Sequence, residues 1–356
     1  TTGANNTSYG SESLNRNTAG LQNVANGASA LYSNTTGSYN TASGSQALYS
    51  NTTGDYNAAF GYEALTNNTT ANYNSAFGYK ALEDNTTGAN NTSTGNSALK
   101  ANTTGSNNVA NGKSALYWNT TGGDNTAVGK DALSSNTTGS YNTATGYSAL
   151  LYNTTASYNT AVGRQALYTN TTGDNNTASG YRTLFYNTTG ANNTSYGSES
   201  LNRNTTGLQN VANGASALYS NTTGSNNTAS GSLALYSNTT GGRNVATGRN
   251  ALNANTTGSY NVGNGYQALA SNTTGASNTA TGYQALINNT TGGYNAAIGD
   301  RAFKDLTTGS GNTGIGFVKS SGTYAPVFNV STESNRLVLG HTSITNAYVQ
   351  VAWTVT

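Results

Sequence analysis

The sequence predicts an all-β chain: a parallel β-solenoid or β-roll with one coil per 17-residue repeat, associated as a parallel trimer and closed by a C-terminal β cap. Three observations lead there. Residues 34–50 read NTTGSYNTASGSQALYS, and residues 51–67 read NTTGDYNAAFGYEALTN, nearly the same string one period later. That period runs without insertion from Thr1 to about Gly316. The composition is polar without being charged, since Asp, Glu, Lys and Arg make up 7% of 356 residues and the formal net charge is +2. Disordered chains of low hydrophobicity carry more charge and fewer aromatics than this one, which has 25 Tyr.

Each fixed column of the unit N-T-T-G-x-x-N-T-A-x-G-x-x-A-L-x-x has a physical reading. The Gly column (Gly44, Gly61, Gly78, Gly95, Gly112, Gly129) predicts a tight corner with positive φ or a neighbour too close for a Cβ. The Asn column (Asn40, Asn57, Asn74, Asn91, Asn108, Asn125) can stack its amides and hydrogen-bond them from coil to coil. The Leu column (Leu48, Leu65, Leu82, Leu99, Leu116, Leu133), preceded by Ala or Ser, supplies a narrow apolar core. Between the corners, NTAVG (125–129) and NAAIG (295–299) fit strands of three to five residues. Helical solenoids need periods above about 30 residues, and the Gly and Asn content leaves room for one helical turn at most, such as YQAL (266–269). At about 4.8 Å per coil, about 18 coils make a rod on the order of 85 Å long.

The oligomer follows from how thin this core is. One buried Leu contributes about 1.5–3 kcal/mol, whereas ordering each backbone residue costs on the order of 1 kcal/mol. Backbone ladders and Asn stacks offset part of the difference. Burial of Tyr-rich faces between chains offsets more, and a parallel threefold rod keeps every column aligned with itself. Residues 1–33 recur at 188–220 with one difference, Ala19 against Thr206, an offset of eleven whole periods. A chain that changes length in whole coils suits a spacer or fibre better than a catalyst.

Several function classes are set aside by composition. There is no Cys, hence no disulfide and no thiolate metal site. No basic run marks a nucleic-acid surface, and no apolar stretch is long enough for a membrane helix, so neither nucleic acid nor membrane insertion is expected. Catalysis is not expected either: the single His, His341, and twelve carboxylates are scattered, and the adjacent pair Glu83 and Asp84 would point to different sides of a coil. Calcium-binding β-rolls place Asp in every repeat. Here Asp55, Asp124 and Asp174 form no column, so no metal or cofactor is expected. The chain begins mid-pattern without Met and reads as a processed or truncated product.

Three features remain as candidates for recognition. Tyr39, Tyr56, Tyr62, Tyr73, Tyr79, Tyr141, Tyr147 and Tyr158 fall at two variable columns. They read either as aromatic platforms for the sugar rings of a host-surface receptor or as contacts between protomers. The N-T-T triplets, as at Asn34, Asn51 and Asn85, are acceptor sequons for N-glycosylation and equally a turn leading to Gly37 and Gly54. Their paired Thr columns read either as an ice-binding array or as β-branched residues stacking hydroxyl on hydroxyl.

Two domains are expected, a repeat shaft at 1–316 and a cap at 317–356. From Phe317 the period is lost, and the only Pro, Pro326, and the only His appear. RLVLG (336–340) and AYVQVAWTV (347–355) read as strands able to close the open edge of the last coil. The segment TESNRLVLGHTSITNAYVQVAWTVT (332–356) resembles the stretch that precedes the intramolecular chaperone domain of phage tail fibre and tailspike proteins, the endosialidase-type family. The repeats N-T-A-x-G-x-x-A-L resemble those upstream of such domains, and more loosely the head repeats of trimeric autotransporter adhesins. This resemblance implies an extracellular or virion fibre, a homotrimer engaged in host-surface attachment, with a host-surface glycan or protein receptor as its partner. It also implies that Thr356 is the processed C-terminus left when the chaperone cuts itself off, with no protease residue in this sequence. The alternative is a secreted cellular solenoid, either a glycosylated filament or adhesin or an ice-binding protein.

Overall fold

The computed structural model describes residues 2–316 and 331–339. Among them there is no helix, and all twenty strands are three residues long. The chain forms a parallel β-solenoid in two compact units, Thr1–Asn210 and Val211–Thr356. This division falls inside the repeat array. The residues just past the expected boundary at 316/317, 317–330, lie outside the described set.

In the first unit a strand recurs every 17 residues, from β1 (Thr7–Tyr9) by way of β3 (Thr41–Ser43) and β4 (Ala58–Phe60) to β12 (Thr194–Tyr196). Pairing is parallel and in strict register, with Thr41 beside Ala58, Ala42 beside Ala59 and Ser43 beside Phe60. The second unit repeats the scheme from β13 (Val211–Asn213) to β19 (Thr313–Ile315). A residue therefore stacks on the one 17 places later, and a column in the sequence is a column in space. Each coil contributes a single strand, and the rest of its path is stacked turns.

The corners are built from left-handed backbone. Gly44 has φ of 141°, and a Cβ there would lie 2.3 Å from the carbonyl oxygen of Gly61, so only Gly fits. Three other positions per coil are left-handed without being Gly: Tyr39 (φ 59°), Gln46 (φ 58°) and Leu48 (φ 53°). Such a conformation costs an L-residue roughly 1–2 kcal/mol. Stacking holds it in place. The Leu48 amide donates to Ala64 O at 3.0 Å in the next coil, while its side chain is fully buried. A lone coil would have neither the bond nor the burial, which ties the stability of each repeat to its neighbours.

The interior is unusually polar. Ala42, Ala47 and Leu48 are buried, and so are two asparagines per repeat, Asn34 and Asn40; later coils keep these places buried, with Ser, Thr or Gly for some of the Ala, as at Ser93 and Thr183. Buried amides are tolerated only when hydrogen-bonded. Asn23 Oδ1 accepts from the backbone N–H of Asn40 at 2.9 Å, and Asn40 Nδ2 donates to Gly54 O at 2.8 Å. Asn51 Nδ2 donates to Asn34 Oδ1 at 2.8 Å and also to Gly54 O at 3.0 Å. The second ladder stops at Asn289, whose Oδ1 has no hydrogen-bond partner among the described residues. The next place in that column is Leu306, which has no donor.

Residues 331–339 continue the stack. β20 (Leu337–Leu339) pairs in parallel with β19, an offset of 24 residues in place of 17. Ser331, Ser334 and Arg336 occupy the places of Thr307, Ser310 and Asn312: Thr307 Oγ1 donates to Ser331 O at 2.7 Å, and the Arg336 amide donates to Asn312 Oδ1 at 3.0 Å. The strand read at 336–340 is thus one more rung of the same sheet. The strand expected at 347–355, His341, Pro326 and Thr356 lie outside the described residues.

Candidate functional site

Of the columns singled out in the sequence, three face inward. The asparagines from Asn40 to Asn125 and the leucines from Leu48 to Leu133 are buried. The glycines from Gly44 to Gly129 have their Cβ positions filled by the next coil's backbone. These columns build the site's scaffold and offer nothing to a partner.

The sequon asparagines belong to the scaffold as well. Asn34, Asn51 and Asn85 are fully buried. In Asn51 both N–H bonds of Nδ2 are committed, to Asn34 and Gly54, and Asn85 bonds Asn68 Oδ1 and Gly88 O in the same way, each at 2.9 Å. A glycan on either nitrogen would cost both bonds and has no space in the folded coil. Sequence reasoning counted one Asn ladder where there are two. The signal was present, because Asn34 recurs as regularly as Asn40.

The tyrosines fall into two exposed columns. Tyr39, Tyr56 and Tyr73 stack with centroids 4.7 and 5.1 Å apart and ring planes 2° and 4° from parallel. Tyr141 and Tyr158 stack at 5.0 Å, and Tyr62 and Tyr79 at 5.6 Å. Inside a stack each ring face is covered by the next ring. What such a column presents is a row of edges and hydroxyls, with a free face only at its ends. Tyr147 is held differently, between the cations Lys130 and Arg164.

The two Thr columns have unequal roles. Thr35 Oγ1 donates to Thr52 O at 3.0 Å, and the same carbonyl accepts from the amides of Thr35, Thr36 and Gly37. Thr36 is exposed. One rank of Thr therefore links coils while the other faces solvent, beside the Tyr39 stack.

Charges gather on the turn that follows the strand. Lys80 Nζ lies 2.8 Å from Glu63 Oε2 and 2.9 Å from Glu83 Oε1, and Lys100 Nζ lies 3.1 Å from Glu83 Oε2 and 3.5 Å from Asp84 Oδ2. The hydrogen bond from Lys80 is the main cause holding the Glu63 carboxyl below its ordinary value, and the Tyr62 hydroxyl adds to it. Lys80 is raised in turn, chiefly by its bond to Glu63 and next by that to Glu83. The adjacent carboxylates Glu83 and Asp84, expected on different sides of a coil, instead both reach one cation, Lys100. Asp55 and Asp174 accept backbone amides of the preceding coil, from Ser38 and Ser157, each at 2.7 Å, and Asp124 accepts from Asn107 Nδ2 at 3.2 Å. Among the described residues no three acidic or His side chains are grouped to hold a metal ion.

The outward face of the strands is apolar in patches. Val24, Phe60, Phe77, Val109, Val128 and Val162 are exposed in the first unit, and Val211, Val245, Ile298 and Ile315 in the second. Phe60 and Phe77 stack at 4.9 Å. Comparison of the chain with protein-family models, with curated proteins and with solved structures gives no match.

Proposed function

We propose that the chain is the shaft of a structural fibre, a parallel homotrimer on a virion or in the extracellular space, which carries attachment to a host surface and performs no bond chemistry. One observation carries this reading. From coil to coil the interior repeats nearly the same residues and the same bonds, Asn40 and Asn51 with Gly54 as their common acceptor, with only small residues exchanged inside, as at Ser93 and Thr183, while the large and charged variation lies on outward positions. That is the economy of an extendable support. A catalytic scaffold concentrates its irregularities at one place, whereas here the carboxylates are spread over many coils and tied into coil-to-coil bonds or ion pairs.

Self-association is supported by the exposed Val and Phe columns of the strands, apolar surface that a neighbouring copy would cover. The virion setting is supported by the resemblance of residues 332–356 to the chaperone-proximal segment of tail fibres. The buried sequon columns argue against a sugar-coated filament, and the single exposed Thr rank beside stacked Tyr argues against a flat ice-binding face. Light scattering on the purified chain tests the reading. A native mass of three 36.3 kDa chains is expected, and a monomer would refute the self-association on which the fibre depends.

A further inference from the structure

The turn face of the first unit holds a line of cations that the linear sequence conceals, because its members stand 17 residues apart. In five consecutive coils one column reads Lys113, Lys130, Tyr147, Arg164, Tyr181, and all five are exposed. Backbone bonds fix the stacking: the amides of Asp131, Ser148, Gln165 and Arg182 donate to the carbonyls of Lys113, Lys130, Tyr147 and Arg164 at 2.9–3.1 Å. Lys130 Nζ lies 5.5 Å and Arg164 Cζ 5.7 Å from the centroid of the Tyr147 ring. Arg182, one position on, lies over Tyr181 and Phe185 at 5.4 and 5.0 Å and donates from Nε to Gln165 Oε1 at 3.0 Å. Within these five coils the strip sets four cations against one carboxylate, Asp131, which is 3.7 Å from Lys130, and Glu199 closes its end one coil beyond Arg182, its amide donating to Tyr181 O at 2.8 Å. Lys113, Arg164 and Arg182 have no ion-pair partner among the described residues.

We propose that this strip binds a linear anionic polysaccharide, a carboxylate-bearing sugar chain running along the stack. The attachment reading supplies the setting on which this rests. With coils about 4.8 Å apart, four cations over five coils give a positive charge roughly every 6 Å. A nucleic-acid strand carries a charge about every 3.4 Å, nearly twice that density. Base recognition by single-strand binders also needs free aromatic faces, and the faces of Tyr147 are taken by Lys130 and Arg164. What remains open beside the cations is hydroxyl and amide chemistry, the Tyr147 and Tyr181 phenols with Ser114 and Gln165. Carboxylates on the cations and sugar hydroxyls on these groups satisfy both.

Fluorescence anisotropy of a labelled polyuronate oligosaccharide with the full chain tests this. Binding is expected, weakened by added salt, and at least about tenfold weaker for the Lys113→Gln/Arg164→Gln double variant. Both positions are exposed, so the thermal melt of the double variant should match the parent, and Arg243→Gln in the second unit should leave affinity unchanged. Absence of polyuronate binding, equal binding by the double variant, or equal binding of a neutral glucan would overturn the proposal. Tighter binding of an oligothymidylate would overturn it in favour of nucleic acid. Native mass on the same samples separates this inference from the fibre reading: a trimer that fails to bind sinks only the strip, and a monomer that binds sinks only the trimer.

Discussion

Asn40 and Asn51 donate their side-chain amides to the same carbonyl, that of Gly54, at 2.8 and 3.0 Å. Two amide ladders therefore meet once per coil on one acceptor, whose two lone pairs are both used. The meeting point explains how a coil with so little apolar mass holds its shape. Each buried Asn hands its hydrogen-bonding capacity to the coils above and below, so the polar interior becomes a continuous network.

Removing one Asn should cost more than its own bonds. Asn51→Ala strips one of two donors from Gly54 O, leaves Asn34 Oδ1 buried and unpaired, and takes away the acceptor of one Asn68 Nδ2 N–H. Each orphaned group carries a penalty of about 1–3 kcal/mol, so a loss of about 2–4 kcal/mol is expected in urea unfolding. A loss below about 0.5 kcal/mol, the level of a neutral surface change, would contradict the ladder's role.

Two glycines should respond differently to the same substitution. Gly61 has φ of 136° and its Cβ would fall 2.4 Å from Gly78 O, whereas the Cβ of Gly123 would meet nothing nearer than Ser106 O at 3.1 Å. Gly61→Ala is expected to destabilise by at least about 2 kcal/mol more than Gly123→Ala, since backbone strain and steric overlap add. Matching melts would refute the corner geometry.

The ion ladder around Lys80 predicts a pH signature. Glu63 is depressed below its ordinary 4.5, mainly by the hydrogen bond from Lys80. A depressed carboxylate stabilises the fold above its unfolded value, and the contribution is lost as pH falls through the folded one. The melting difference between parent and Glu63→Gln should be full at neutral pH and vanish in acid. Lys80 is raised, so its contribution persists below 10.5 and is lost only as pH rises through its higher folded value. A difference that is constant from neutral pH into acid would contradict the pairing.

Much of the fold was legible because strict repetition turns spacing into contact. The 17-residue period, the Gly corners and the buried Leu could all be read from residues 34–67. What stayed hidden had physical causes. Leu48 is left-handed, and nothing in a Leu side chain announces that conformation; stacking imposes it. The Asn34 column was masked by its double meaning as a sequon. The rung at 337–339 follows an offset of 24 residues and replaces the Asn, Thr and Ala of the repeat with Arg336, Leu337 and Val338, so a search at fixed period passes over it. The Lys113 to Arg182 strip was invisible for the opposite reason, since proximity there exists only across coils.

The most direct test is a change of length in whole coils. Deleting residues 85–169 removes five periods inside the first unit and joins Asp84 to Asn170, a junction that preserves every column. Circular dichroism should show an intact β fold, and electron-spin distance measurement between labels at the exposed Thr36 and Thr189, nine coils apart within the first unit, should give a dimension shorter by about 24 Å, at about 4.8 Å per coil. An unchanged dimension, or loss of the fold on a deletion that keeps register, would contradict a shaft built one coil per repeat.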